Sequence, residues 1–418
     1  MPDRFEPQTI EMALKAISGA ISPISQTEVI GLSESGGRTL ARAVLSPKDV
    51  PEYPLSAMDG YSFHSQSLDK TTEEKDLNLP VLGKSLAGHS LEGETHATAA
   101  ARIFTGAMVP ACHDTVIAQE LVRIDDRQQR ITFAADSIRR QANVRRQGED
   151  LARGAEALPT GAVIGPREIA LLASMGIASI EVVRRVRIAV LSTGDEVTEP
   201  GRPLAAGKTY DANRPMLLQM IRDCRATPID LGIVNDDPQS LRQAILHAAT
   251  IADAVITSGG VSVGEADHTR KIMESLGDIS FWKLAIKPGR PLAAGWISTD
   301  SAANKRIPFF GLPGNPVAAF VTFQSIVAPC LRQLAGDRGS IRPTVRARLG
   351  KDARKAPGRT EYLRCALVRD ASGEWVAEIA ASQGAASLKS LTDADGLVVL
   401  PHAAGPLTAG TMVDVILL

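Results

Sequence analysis

Cysteine is scarce in this chain of 418 residues. The four that occur, Cys112, Cys224, Cys330 and Cys365, form no close pair, which excludes a disulfide framework and a Cys-x-x-Cys metal site and leaves thiols packed as small hydrophobes. The seven histidines are dispersed, with no HExxH spacing, so a zinc hydrolase is excluded too. Charge of one sign is also missing: 46 Lys and Arg face 47 Asp and Glu, for a net charge of -1. Such a surface has no long-range field for a polyanion, and no nucleic-acid partner is expected. No run approaches the roughly 20 apolar residues that span a bilayer. The start, MPDRFEPQTIEMAL, lacks the basic and then apolar pattern of a secretory signal. The expectation is a soluble, cytoplasmic protein without membrane contact.

What is present is chain enough for about three domains at roughly 150 residues each. Residues 5–20 read as a helix with Ile10, Leu14 and Ile17 on one face, and Thr39 to Val44 as a helix end before a crossing marked by Pro47, Pro51 and Pro54. From Leu55 to Gln147, short alternating runs such as VIAQELVRI and RITFAA predict a small β domain. IGPREIALLASMGIASIEVV predicts a Pro-started helix, a stop at Gly176 and a strand from Ala178 to Val183. From Arg187 the chain alternates strand and helix: RIAVLSTG, Asn213 to Cys224, PIDLGIV, Pro238 to Ala249, ADAVITSGG, and Asp267 to Leu276. This rhythm predicts a doubly wound, mostly parallel sheet with helices on both faces. FFGLPGNPVAAFVTFQSIVAPCLRQL adds a strand, a loop and a helix, and beyond Arg342 the runs LRCALV, WVAEIA, GLVVLP and MVDVILL predict a second β domain. The fold class is α/β plus β.

Ligands of open α/β sheets bind beyond the carboxyl ends of the strands. Here the first strand ends in Ser192-Thr193-Gly194-Asp195-Glu196, the second in Asn235-Asp236-Asp237-Pro238, and the third in SGGVSVGEAD, Ser258 to Asp267. Six carboxylates are thereby expected on one rim. Crowded carboxylates repel one another unless a cation sits among them, and oxygen ligands without histidine point to Mg²⁺ and, through it, to phosphate. Asp236, Asp237 and Asp267 read equally as helix N-caps, the more so for the pair before Pro238. For Glu196 and Asp267 the glycine-rich surroundings favour a ligand role.

Gly259, Gly260 and Gly264 let the backbone approach an anion, and GLPGNPVAAF repeats the device, with Asn315 as N-cap, Pro316 at the first helical position and exposed N–H groups behind it. In WKLAIKPGRP, Lys283 and Lys287 share one face of a strand-like run that Pro288 and Pro291 close, which suits either an anion site or a lysine-blunted edge strand. SAMDGY and FTGAM are small-residue turns, and Asp59-Gly60 alone reads as a hairpin turn. Residue by residue, the chain reads as a multidomain Mg²⁺-dependent enzyme acting on a phosphorylated or nucleotide-bearing small molecule. A nicotinamide-dependent dehydrogenase is excluded, because no GxGxxG follows the first strand.

Taken together, PLSAMDGY, FTGAMVP, RRQGEDL, LSTGDEV, YDANRPML, VNDDPQSL, TSGGVSVGEADHT, AIKPGRPLAAG and GLPGNPVAAF resemble the molybdopterin molybdenumtransferase family. The resemblance implies an elongated homodimer with an N-terminal helix (1–26), a small α/β linker domain (27–46 and 155–184), a β domain carrying SAMDGY (47–154), an α/β molybdopterin-binding domain (185–340) and a C-terminal β domain (341–418). It implies insertion of molybdate into adenylylated molybdopterin, with Mg²⁺-dependent hydrolysis and release of AMP. An adenylyltransferase would stand upstream and molybdoenzymes downstream. Carried onto this chain, Glu196, Asp236 and Asp267 match the acidic, metal-holding site, and Asp59 joins them as a catalytic candidate. Thr105, Gly106 and Asp150 match motifs of the β domain that face the partner subunit's cleft. Thr193, Gly194, Gly259, Gly260, Ser262, Gly264, Gly314, Asn315 and Pro316 match the loops around the substrate. Lys283, Lys287, Pro288 and Arg364 match positions for the terminal pterin phosphate or the oxyanion. One departure stands out: Gln383-Gly384 is followed by Ala385 where many relatives have serine, and Ser387 or Ser390 is the candidate replacement. The same α/β module also occurs in nucleotide pyrophosphatases resembling the competence-damage family, which lack the SAMDGY-bearing domain. It occurs as well in the synaptic protein gephyrin, where it also binds partners; a scaffold without turnover is disfavoured here by the retained Glu196 and Asp267.

Overall fold

The computed structural model describes residues 7–70, 76–260, 272, 274–298, 306–337 and 343–418. Helix α1 (Ile10–Ser18) starts at Thr9, whose hydroxyl accepts the Met12 N–H, and buries Ala13 and Ile17. The stretch Thr39 to Val44, expected as a helix end, is not helical. Gly37 takes φ +73°, and the backbone then bonds sideways, Leu40 N–H to Ala162 O and Ala41 N–H to Glu181 O, so its polar groups are spent between strands.

Strand β1 (Thr27–Gly31) and β2 (Val44–Leu45) precede a β unit built from β3 (Leu55–Ser56), β4 (Gly60–Phe63), β5 (Asp76–Ser85), β6 (Ala100–Ile103), β7 (Thr115–Ala118), β8 (Arg123–Asp125), β9 (Arg130–Ala134) and β10 (Val144–Arg145). Six of these form one sheet in the order β7-β4-β6-β5-β9-β8, over a core that includes Phe63, Ile117, Ile131 and Phe133. Asp59-Gly60 does not turn a hairpin: β3 pairs with β10, whereas β4 pairs with β6 and β7. Gly60 serves close approach instead, since a Cβ there would stand 1.9 Å from Ile117 O. The chain returns through β11 (Glu156–Leu158), which pairs with β2, then α2 (Pro166–Ser174), and β12 (Ser179–Val183), which pairs with β1. Gly176, at φ +77°, follows the end of α2.

The central unit comprises β13 (Arg187–Thr193), the short β14 (Val197–Thr198) and β15 (Thr209–Tyr210), α3 (Asn213–Asp223), β16 (Thr227–Val234), α4 (Pro238–Ile251), β17 (Ala254–Ser258), β18 (Gly277–Lys283), β19 (Ile286–Lys287), β20 (Pro291–Ser298) and β21 (Arg306–Leu312). Its sheet runs β16-β13-β17-β21-β20-β18, parallel through the first four strands and antiparallel at β20 and β18. Alternating side chains face two cores: Ile188 and Val190 join α1 and α3, while Ala189 and Leu191 join α4. Helix α5 (Pro316–Thr322) continues through a π turn into α6 (Ala328–Leu334). Contrary to the reading of the sequence, this run of 19 residues is long and apolar enough to cross a membrane, but 67% of its apolar window is buried within the protein, as suits a core helix. The helix read from Asp267 to Leu276 lies mostly outside the described residues; Ile272, Glu274 and Ser275 are helical.

At the C-terminus, β22 (Thr344–Leu349), β23 (Thr360–Arg369), β24 (Trp375–Ile379), the short helix α7 (Leu388–Thr392), β25 (Gly396–Leu400) and β26 (Met412–Leu417) build a second β unit. Because β25 pairs with both β26 and β23, its five strands close on themselves, and β19 adds to the outside of β23. Gly60→Ala should destabilise the N-terminal β unit by about 2–3 kcal/mol, since backbone must move to admit the methyl; urea unfolding followed by tryptophan-independent far-UV signal measures it.

Candidate active site

The connections of the central sheet create a switch point. From β13 the chain crosses one face through α3 to β16, and then the other face through α4 to β17, on the opposite side of β13. The carboxyl ends of β13 and β17 therefore border the crevice where ligands of such sheets bind. Gly194 (φ +137°) and Gly259 (φ +93°) shape it. A Cβ on Gly259 would lie 2.6 Å from Thr193 O, and one on Gly194 would lie 2.6 Å from Glu196 Oε2, so the Glu196 carboxylate folds over the bare Gly194 backbone. Gly260 continues the turn at φ +69°. Ser192 Oγ, Thr193 Oγ1, Thr257 Oγ1 and Asn213 Oδ1 are buried here without a hydrogen-bond partner among the described residues. The Asn213 amide orientation is fixed, because its Nδ2 donates to Ser258 Oγ at 2.8 Å and to Gly314 O at 2.8 Å, and a carbonyl only accepts. Unmet buried polar atoms are rare in native proteins, and their occurrence on the neighbouring ends of β13 and β17 and at the start of α3 suits a polar ligand.

Of the six carboxylates expected on the rim, three gather. The Asp236 N–H donates to Asp195 Oδ1 at 3.3 Å. Partial burial and the negative fields of Asp195 and Glu196 hold the Asp236 carboxyl above the ordinary range, against one backbone hydrogen bond from Asp195. Asp237 does not join them. Its carboxylate accepts the Ser240 N–H at 2.8 Å and caps α4, which holds its pKa low, so of the adjacent pair one residue caps and the other faces the rim. Glu265 and Asp267, together with Ser262 and Gly264, lie outside the described residues. Among the described residues no three Asp, Glu, His or Cys side chains stand close enough together to hold a metal ion.

A second polar feature lies where α5 meets the C-terminal barrel. Asn315 occupies the N-cap position without a side-chain capping bond, and Pro316 follows. The N–H groups expected to be exposed there are partly closed: the Val317 N–H donates to Ala385 O at 3.0 Å, because the barrel loop docks on the helix start. Arg364 on β23 is wholly buried, and its Nη2 donates to Ser382 O and Gly384 O, each at 3.1 Å. Its Nε and Nη1 have no partner among the described residues, and burial pulls its pKa down. Gln383 fixes this strand by accepting the Arg364 N–H and donating to Arg364 O, both at 3.0 Å. Of the candidate replacements for the hydroxyl missing at Ala385, Ser390 Oγ donates to Ser387 O at 2.7 Å, whereas Ser387 Oγ accepts from Ser382 Oγ at 3.2 Å and keeps its own O–H to donate.

Lys283 and Lys287 do not share a strand face. Lys283 ends β18 in the central sheet, whereas Lys287 lies in β19 against β23, with its Nζ 3.5 Å from the buried Glu361 Oε2. The run breaks because Leu284 N–H turns to Arg290 O and Ala285 N–H to Gln8 O. At the tip of the N-terminal β unit, β3 gathers three motifs: Ser56 faces Val144, and its carbonyl accepts the Gly106 N–H at 2.8 Å. Asp59 Oδ1 accepts the Thr105 N–H at 2.8 Å and the Thr105 hydroxyl at 2.7 Å, which hold its pKa low, and Asp150 pairs with Arg145. Asp59 and Thr105 thus contact each other, Gly106 bonds to β3 and Asp150 to Arg145 of its partner strand β10, so all four lie in the N-terminal β unit and away from the rim's sheet. Reading the sequence placed Ser192 at a strand end but did not single out Asn213, Thr257 or the ion pairs of Arg214; the Asp211-x-x-Arg214 spacing at a helix start was the signal for the last.

Comparison with known proteins agrees with this architecture. The MoeA N-terminal region (domain I and II) matches residues 8–176, a probable molybdopterin binding domain matches 189–333, and the MoeA C-terminal region (domain IV) matches 346–418. The molybdopterin molybdenumtransferase of Haemophilus influenzae is 37% identical over 94% of this chain and 94% of its own. A molybdopterin biosynthesis MoeA protein crystal structure from Pyrococcus horikosii superposes with a TM-score of 0.78 at 30% identity, covering 99% of both chains. A second, from Pyrococcus horikoshii OT3, has a TM-score of 0.83 at 24% identity, covers 99% of this chain and 100% of that one, and supports the fold. Fold and site together define a multidomain protein built around an α/β unit of the molybdopterin-binding type. The chain belongs to the molybdopterin molybdenumtransferase family.

Because the folded Asp236 carboxyl keeps its proton to higher pH than the unfolded one, the native state binds more protons in that interval and loses stability as pH rises through it. Asp236→Asn should therefore raise the metal-free melting temperature at pH 7, by a gain below about 1 kcal/mol after solvent screening. The gain should vanish below the ordinary carboxylate range, which scanning calorimetry across pH 3–8 reads directly.

Proposed function

We propose that this chain inserts molybdate into adenylylated molybdopterin, hydrolysing the adenylate and releasing AMP. The observation that carries the reading is the switch-point rim, where three crowded carboxylates stand beside buried polar atoms without partners. Family membership supplies the substrate class.

Water oxygen joins the adenylyl phosphorus, the bond from that phosphorus to the bridging oxygen breaks, and AMP and the pterin phosphate part. The proton passes through the exposed rim carboxylates to solvent. On the dithiol, two Mo–S bonds form while one Mo–O bond of molybdate breaks, and that oxygen leaves as water with the two thiol protons. Glu196 and Asp236, with Asp267 as the third candidate, would hold Mg²⁺; partial burial first, and then the negative fields of Asp195 and Glu196, lift the Asp236 pKa, and a cation at these hard oxygen donors would offset both. Mg²⁺ would neutralise the charge of the diphosphate, a mainly electrostatic form of catalysis. The chain's own part is to position the diphosphate beside Gly194, Gly259 and Gly260 and to pair polar groups of the ligand with Thr193, Thr257 and Asn213. Arg364, whose Nε and Nη1 have no partner among the described residues, supports an oxyanion role. The homodimer, in which the tip bearing Asp59, Thr105 and Asp150 faces the partner's cleft, and the cytoplasmic location belong to the same proposal.

Mixing the purified protein with adenylylated molybdopterin, Mg²⁺ and molybdate should release AMP stoichiometrically with molybdenum insertion; no release from verified substrate sinks the proposal. Glu196→Gln should slow that release by roughly a hundredfold. Arg364→Lys keeps the charge but loses the fork, and should raise the molybdate concentration for half-maximal insertion about tenfold while AMP release is little changed.

A further inference from the structure

Arg214 opens α3, and the reaction above gives it no part, yet it is 4% exposed and surrounded by carboxylates. Its Nε donates to Asp211 Oδ2 at 3.0 Å, its Nη1 to Asp230 Oδ1 and Oδ2 at 2.6 and 2.5 Å, and its Nη2 to Glu199. Its backbone N–H also donates to Asp211 Oδ1 at 3.0 Å. Each acceptor belongs to a segment that carries the rim. Glu199 follows β14, which begins directly after Glu196, and Asp211 follows β15, the partner of β14. Two backbone bonds close this ladder, Thr209 N–H to Glu196 O and Asp211 N–H to Thr198 O, each at 2.9 Å. Asp230 lies in β16, whose carboxyl end leads to Asp236.

The guanidinium thus fastens the loop of Asp195 and Glu196 to the strand that delivers Asp236. Stability alone is a weak account of it, since apolar residues of similar volume commonly replace a buried ion cluster at no loss. Geometry is the stronger account: a planar fork holds three acceptors in fixed directions, which an ammonium cannot do. Three negative charges against one also leave a net negative surplus on the segments that carry the rim.

We propose that Arg214 is a positioning residue for the rim: by binding Glu199, Asp211 and Asp230 at once, it sets the spacing of Glu196 and Asp236 on which divalent-cation binding depends. The inference rests on the metal reading of the proposed function and deepens it.

The test uses the full chain and two variants, Arg214→Lys and the milder Glu199→Gln. Glu199 is half-exposed, so its neutralisation leaves the buried Asp211 pair intact. Asp223→Asn, on the exposed end of α3, is the control. Backbone amide exchange across 195–211 is measured without metal, and Mn²⁺ binding is titrated by electron paramagnetic resonance with AMP present. Glu199→Gln should speed exchange at 195–199 while the barrel strands keep their protection, and should weaken Mn²⁺ several-fold; Arg214→Lys should weaken it about tenfold or more, as loss of a supporting partner around metal ligands commonly does. Unchanged exchange in both variants, or faster exchange with unchanged Mn²⁺ affinity, overturns the inference. Absence of saturable Mn²⁺ binding in the unsubstituted protein overturns the metal reading itself, and is told apart because the exchange comparison needs no metal. An Arg214→Lys variant that unfolds leaves Glu199→Gln to decide.

Discussion

Repulsion between like charges at the end of a parallel sheet governs how this molecule is organised for chemistry. Asp195, Glu196 and Asp236 come from two different strand ends, so their approach is imposed by β13 and β16 being neighbours in the sheet. Part of the cost shows in the Asp236 carboxyl, which partial burial first, and then the charges of Asp195 and Glu196, make hold its proton more tightly than an ordinary aspartate. A sheet core buried on both faces can bear that cost, because the strands cannot move apart without opening two apolar clusters.

A second constraint acts where the central unit meets the barrel. Tyr362 and Leu397 of the barrel are part of the same apolar cluster as Val317 and Phe323 of the helix run, so Arg364, on the same face of β23 as Tyr362, is carried into the interface. Charge is thereby placed where water is sparse, and an arginine with unspent N–H groups in such a place has a strong appetite for an anion. The GLPGNP loop links the central unit to the barrel loop that holds Arg364: its Gly314 carbonyl accepts from Asn213, and the start of the helix behind it donates to Ala385.

Much of this was legible in the sequence. The alternation of apolar strand and amphipathic helix from Arg187 onward gives the parallel sheet, because burial on both faces demands continuous apolar strands. The family motifs mark the strand-end residues. What eluded the sequence was anything decided by long-range pairing. Lys283 and Lys287 have the right period for one strand, yet the chain changes sheets between them. Asp236 and Asp237 are chemically alike, and only the local turn makes one a cap and the other a rim member. Thr39 to Val44 carries helix-compatible residues, but its hydrogen bonds are claimed by strands far along the chain. Arg214 was invisible as a hub since two of its acceptors are remote from α3 in sequence.

Strand β19 has one more implication. It is only two residues long and precedes two strands of the central sheet, yet it hydrogen-bonds to β23 of the barrel. The chain therefore visits the terminal unit, goes back, and only later builds the rest of it. Severing the polypeptide after α6 would not yield two self-sufficient halves: the released barrel would show an open edge at Thr360 and Glu361, and the remainder would keep a stub with nothing to bind. Gene-level exchange of the last unit between relatives must accordingly respect a seam that runs through the Ile286-Lys287 dipeptide as well as through the interdomain connection.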